Sequence, residues 1–298
     1  MPRANRSLIP GHVWHITHRC HQKEFLLKFR RDKLLWMRWL LEAKRRFGPI
    51  VLNFMITSNH IHLVVFNTGS REGRGSGPAP AMPGAPRTRD AHPVSMAIQL
   101  AHARVAQEYN RRKSRHGAFW EDRFHATAIE CGAQLARCLT YVDMNMVRAG
   151  VVRHPRDWPF CGYGELRRPD LRPRLRLVDT DALSALFGAR DRAALLAMRD
   201  DWIDQAMRKG RIGREPIWTE SLAVGSEEFL MSVRGRLGAK LRTASIVGYV
   251  DPAGCHSFAL HRSRRAFETP AAVPAAAPSG ASTPATASVP HQHRGFGA

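Results

Sequence analysis

The sequence predicts an α+β fold, and three observations carry the prediction. Runs rich in β-branched and aromatic residues alternate with amphipathic stretches in the order strand, helix, strand, strand, helix, strand. A short polar turn, Ser58-Asn59, joins two of those strand runs as a hairpin. From about residue 175 the pattern becomes mostly helical, and beyond about Arg265 an Ala/Pro/Ser/Thr tail lacks the apolar bulk to fold. The order is that of a ferredoxin-like split βαβ sheet with flanking helices, followed by a helical C-terminal region over 175–262 and a disordered tail over 266–298.

Residues 1–11 are basic and irregular and end in Pro10-Gly11. The first strand follows in His12-Val13-Trp14-His15-Ile16-Thr17-His18-Arg19-Cys20-His21. Its histidines recur every third residue, so a strand sends them to alternating faces and cannot gather all four on one metal. They read mostly as polar filling and DNA-facing groups. From Arg30 to Phe47, Leu34, Leu35, Met37, Trp39, Leu40 and Leu41 fit an amphipathic helix stopped by Gly48-Pro49. A second strand, Ile50 to Thr57, then turns into a third that begins at His60.

In that third strand His60 and His62 share one face, while Ile61, Leu63 and Val65 share the other. Neutral imidazole is the commonest side-chain metal ligand, so the pair can hold a divalent ion. Two histidines at this spacing also arise by chance, and the pair needs a partner elsewhere to mean more. Val64 and Phe66 lie on the histidine face and require cover.

The Gly/Pro/Ala-rich stretch 69–93 cannot build a core and reads as a flexible insertion. Helical periodicity returns from Val94 to about Arg112 and ends in a basic corner, where Arg111, Arg112, Lys113 and Arg115 are candidates for phosphate contacts. Phe119, Trp120 and Phe124 are aromatics interleaved with charge; they can stack on unpaired bases or pack into the core. A strand-like run reaches Glu130. A helix over about 133–147 follows, with Leu135, Cys138, Leu139, Val142 and Met146 in one apolar stripe and Tyr141 and Asn145 on its flank, one turn apart. Residues 150–174 form a basic, Pro-rich connector. Helices are expected over about 180–187, 191–209 and 226–237, the last with Ser226 as N-cap and Gly238 just past its end.

Charge narrows the partner. The chain carries 46 Lys+Arg against 25 Asp+Glu, a net +21 with a pI of about 11.1. A surplus of that size attracts polyanions, of which nucleic acid is the usual one, although an Arg-rich GC-biased genome gives the same sign. No apolar run approaches the roughly 20 residues of a membrane span, and the N-terminus has no signal-peptide core. Five scattered cysteines without a CxxC pair fit a reducing compartment. The expected location is cytoplasmic, in association with the nucleoid.

Four stretches in order, His60-Ile61-His62, Phe119-Trp120-Glu121-Asp122-Arg123-Phe124, Leu139 through Val152 around Tyr141 and Asn145, and Pro155-Arg156-Asp157-Trp158-Pro159-Phe160, resemble the REP-associated tyrosine transposases. These are insertion-sequence-200-like members of the single-tyrosine HUH group, and the likeness spans residues 10–165. It implies an RRM-like HUH endonuclease sheet and a metal-dependent strand transferase acting on single-stranded or hairpin DNA. By the same resemblance Tyr141 is the nucleophile, forming a 5′-phosphotyrosine, and His60, His62 and Asn145 are ligands of Mg²⁺ or Mn²⁺. Arg123 and Arg148 join Arg111, Arg112, Lys113, Arg115 and Trp120 as expected DNA contacts.

The sequence departs from the family pattern at Asn145-Met146, where Asn-Pro is usual, and at Ser58-Asn59, where Pro-Asn is usual. Other readings remain: a rolling-circle nickase, a non-catalytic DNA- or RNA-binding regulator, or a zinc-stabilised module. The second tyrosine that would favour the nickase is absent between Tyr109 and Tyr163 apart from Tyr141. Monomer and homodimer are both compatible with the sequence.

Overall fold

In the computed structural model, residues 8–69, 93–210, 213–238, 244–250 and 256–262 are described. Apart from its end residues Gly69 and Pro93, the insertion expected over 69–93 lies outside them, as does the tail over 266–298. Apart from short 3-10 turns, the first six elements are β1 (His12–Arg19), α1 (Arg30–Phe47), β2 (Ile50–Ile56), β3 (His60–Asn67), α2 (Pro93–Lys113) and β4 (His125–Ile129). Next come α3 (Ala133–Asp143), α4 (Asn145–Arg148), α5 (Gly162–Arg167), α6 (Thr180–Phe187), α7 (Arg192–Arg208) and α8 (Ile217–Glu220). The remaining elements are β5 (Ala223–Gly225), α9 (Glu227–Leu237), β6 (Ala244–Val250) and β7 (His256–Arg262).

The first four strands lie in the order β2-β3-β1-β4 with every neighbouring pair antiparallel, which is the ferredoxin-like arrangement. Each crossover helix starts and stops where its chemistry directs. In α1, Leu35, Trp36, Met37, Leu40 and Ala43 are buried on one side. Gly48 ends the helix at φ 70°, a left-handed conformation that glycine adopts without strain, and its N–H donates to the Lys44 carbonyl at 2.9 Å.

Register sorts the side chains between two faces. Thr17 lies opposite His62, and His15 lies opposite Val64 and Thr127, so these share a face with His60. Trp14, Ile16, His18, Ile61 and Leu63 point the other way, toward α1 and α2; there Trp36 packs on Phe54 and His18 on His102. The histidine face is covered instead by α3, α4 and α8, through Tyr141, Asn145 and Trp218.

The C-terminal region is mostly helical, as expected, and α6, α7 and α9 fall on the three stretches read as helices. Alongside α6, α7, α8 and α9 it supplies three strands that continue the same sheet as β4-β5-β7-β6, making seven strands among the described residues. β5 runs parallel to β4, with Ala128 opposite Ala223, and β7 and β6 extend the sheet antiparallel. A three-residue Ala-Val-Gly strand has no periodicity to detect; it is a strand because β4 and β7 flank it. The helix expected over 133–147 is interrupted at Met144, so that Tyr141 lies in the last turn of α3, which ends at Asp143, and Asn145 opens α4.

A buried polar chain anchors that interruption. β2 carries a bulge between Val51 and Asn53, which points Asn53 toward α3. Its Nδ2 donates to Asp143 Oδ1 at 2.9 Å, its Oδ1 accepts from the Phe54 N–H at 2.9 Å, and Arg199 of α7 pairs with the other Asp143 oxygen. Asp143 sits midway between Tyr141 and Asn145, so three elements converge on the turn that orients both.

Candidate active site

His62 is 3% exposed and lies on β3 beneath the α3–α4 turn. Its partners determine which nitrogen carries hydrogen. The Trp218 carbonyl can only accept, so His15 Nδ1, 2.8 Å away, is its donor. In a neutral ring His15 Nε2 is then bare and accepts from His62 Nδ1–H at 2.9 Å. His62 Nε2 is bare in turn, and the Asn145 amide Nδ2 donates to it at 3.0 Å.

His60 reaches the same state by a local route. Its Nδ1–H donates to Asn59 Oδ1 at 2.8 Å, with Thr57 Oγ1 at 3.0 Å, which leaves Nε2 bare. The His60 and His62 ring centroids are 5.0 Å apart. Burial lowers the pKa of both: His60 falls to about 4, helped by Arg19 and Arg148, and His62 falls well below the ordinary value, helped by His60 and His15. A neutral imidazole with a hydrogen-free Nε2 is the form that can ligate a metal, and both rings have it.

Tyr141 is 6% exposed, and its ring lies edge-on to His62 at 6.2 Å and to His15 at 6.4 Å. Trp218 closes another side at 6.2 Å. The Arg148 guanidinium stands 4.0 Å above the tyrosine ring, and its Nη2 donates to the Tyr141 carbonyl at 2.8 Å. Burial raises the phenol pKa, and Arg148 opposes that rise more than any other neighbour. The same cation depresses His15, His60 and His62. Arg148 therefore provides positive charge to the whole cluster.

Among the described residues, no group of three or more His, Cys, Asp and Glu could hold a metal ion. Beside His60 and His62, Asn145 lies on His62 Nε2 through its amide nitrogen and also carries an oxygen, the donor type that hard cations prefer. The residues present fit an open site of two imidazoles and one amide.

The remaining expected DNA contacts are placed apart from this cluster, with mixed duties. Arg111, Lys113 and Arg123 are exposed. Arg112 pairs with the buried Asp32, and Arg115 pairs with Glu24 at 3.3 Å. The Trp120 indole stacks on His18 at 4.6 Å and donates to the His102 carbonyl at 3.0 Å, and Phe119 is buried.

His15 is a correction to the sequence reading. It is neither polar filling nor DNA-facing but fully buried, and it orients His62. The residue after next on β1 is level with His62 across the β1–β3 pair, a relation set by register and invisible in the sequence. Trp218 and Arg199 carried no sequence signal, since each acts from an element distant in the chain, and Asp143, though beside Tyr141, gains its role only through the distant Asn53 and Arg199.

No family model matches the chain, and no curated protein matches it. A solved structure described as "Structure of the REP associates tyrosine transposase bound to a REP hairpin" is similar at 17% identity and a TM-score of 0.39, over 59% of this chain and 88% of that one. At that level the likeness carries no argument about this chain's chemistry.

Proposed function

We propose that this protein is a metal-dependent endonuclease and strand transferase acting on single-stranded DNA, a transposase with Tyr141 as its nucleophile. One observation carries the reading: Tyr141, His62 and Asn145 converge from α3, β3 and α4 on one buried point, beneath the Arg148 cation. Binding alone requires no such convergence of a phenol with two hydrogen-free imidazole nitrogens.

In this reading Tyr141 Oη attacks the scissile phosphorus, and the bond to the DNA 3′-oxygen breaks. The phenol proton is lost and the 3′-oxygen leaves as a hydroxyl, while a 5′-phosphotyrosine stores the phosphodiester energy. A later 3′-hydroxyl reverses the step and joins a new strand. His60, His62 and Asn145 would hold Mg²⁺ or Mn²⁺, which when bound polarises the phosphate and orients it. Arg148 contributes charge toward both the phenol and the phosphate.

The test is incubation of the purified protein with labelled single-stranded hairpin DNA and Mg²⁺ or Mn²⁺. A denaturation-resistant adduct is expected with wild type and none with Tyr141→Phe. An adduct that survives Tyr141→Phe sinks the nucleophile assignment. DNA binding without any adduct from wild type favours the non-catalytic regulator.

A further inference from the structure

The loop between β1 and α1 displays two large aromatic side chains to solvent. Phe25 is 65% exposed and Phe29 57% exposed, the two highest values among the large hydrophobic residues of the described chain. An exposed phenylalanine on a loose loop means little, but this loop is braced. The buried Lys33 ammonium donates to the carbonyls of Leu27 and Lys28, both at 2.7 Å, and the Leu27 N–H donates to the Ser58 carbonyl at 2.9 Å. Leu26 and Leu27 between the two rings are buried. The backbone is thus held so that its aromatic rings face outward, at the cost of leaving both in water.

The surroundings indicate what covers them. The ammonium groups of Lys28 and Lys113 lie 5.9 and 5.8 Å from the Phe29 ring centre. Arg30 and Arg31 follow at the exposed start of α1. The acids of this corner are already engaged, Glu24 by Arg115 and Asp32 by Arg112. An apolar protein surface gains nothing from such a surplus of cations, and a duplex hides its base faces. Unpaired bases on a phosphate backbone satisfy the rings and the ammoniums together.

The loop also touches the candidate active site. Asn59 donates through Nδ2 to the Lys23 carbonyl at 3.1 Å and accepts through Oδ1 from His60 Nδ1–H at 2.8 Å. One carboxamide therefore joins the loop to the first histidine.

We propose that Phe25 and Phe29 form a stacking platform for the unpaired bases of single-stranded DNA leading to the His60–His62 site, with Lys28 and Lys113 on its phosphates. The proposal rests on the DNA-binding part of the function above, not on its cleavage chemistry.

The test is fluorescence anisotropy with an oligothymidylate and with a duplex of equal length, in EDTA so that cleavage plays no part. Phe25→Ala/Phe29→Ala is expected to weaken single-strand binding by roughly tenfold per ring while leaving the salt dependence and the duplex affinity unchanged. Phe25→Trp/Phe29→Trp should retain binding, and Phe25→Leu/Phe29→Leu, which keeps apolar area without a π face, should lose it. Lys28→Ala/Lys113→Ala should reduce the salt slope. Both rings are exposed, so thermal melting of the alanine variant should match wild type. Unchanged single-strand affinity, equal loss on duplex, binding retained by the leucine variant, or a dimer that the alanine variant converts to monomer would each overturn the platform. Adduct formation fails or succeeds separately, so a failure there leaves this result standing.

Discussion

His15 Nε2 and His62 Nδ1 face each other at 2.9 Å across neighbouring strands, their rings parallel to within 9°. One carbonyl, that of Trp218, sets the direction of every hydrogen in the chain from His15 through His62 to Asn145. Outer-shell partners of this kind commonly contribute 10–100-fold to metal affinity. His15→Ala is therefore expected to weaken Mn²⁺ binding by roughly that factor in calorimetry. Nitrogen-15 imidazole spectra of the wild type should show His15, His60 and His62 as Nδ1–H tautomers, and an Nε2–H signal for His62 would break the relay.

Arg148 offers a kinetic prediction. It opposes the burial that raises the Tyr141 pKa, so Arg148→Ala should raise that pKa further and move the pH–rate profile for adduct formation to higher pH. Arg148→Lys keeps a cation and should recover part of the shift. A profile unchanged in Arg148→Ala would remove the guanidinium from the chemistry.

The Asp143–Arg199 pair is buried to 0% and 1% exposure, so deleting one partner strands the other charge. Arg199→Ala should cost about 3–5 kcal/mol in denaturant unfolding. Arg199→Met with Asp143→Asn should cost less, because no uncompensated charge remains.

Gly162 is needed for space. A Cβ there would meet Asn53 Oδ1 and come within 3.2 Å of the Phe54 nitrogen. Gly162→Ala should destabilise the fold by about 1–3 kcal/mol and, by displacing Asn53 from Asp143, also slow adduct formation. A melting temperature equal to wild type would show that β2 yields without cost.

Stability should fall in acid through the buried histidines. Burial depresses His15 to about 4 and His102 well below its ordinary value, whereas both titrate near 6.5 when unfolded. Between pH 6.5 and about 4 the unfolded chain binds more protons than the folded one, so stability declines as pH drops through that window and is level above it. Each histidine adds a slope on the order of 1 kcal/mol per pH unit. Urea midpoints at pH 7 and pH 5 measure it, and His102→Gln should flatten the dependence.

What the sequence determined by itself was local. The β-branched runs, the amphipathic stretch ended by Gly48, the turn at Ser58-Asn59 and the shared face of His60 and His62 all follow from side-chain type at short spacing, and the ferredoxin-like order follows from their succession. Tyr141 and Asn145 were legible as neighbours on one helix flank, though not the break at Met144 between them.

Only the tertiary structure decided which distant residues meet. His15 became the partner of His62 because β1 pairs with β3 in one register, and a slip of one residue would have sent it to the opposite face. The Trp218 carbonyl, 203 positions along the chain from His15, sets the tautomer, and Asp143 is held between strands and helices that the sequence separates widely. β5 is a strand only because β4 and β7 lie beside it. Periodicity reports how a segment divides its own faces; register, burial and hydrogen-bond direction depend on the segment lying opposite.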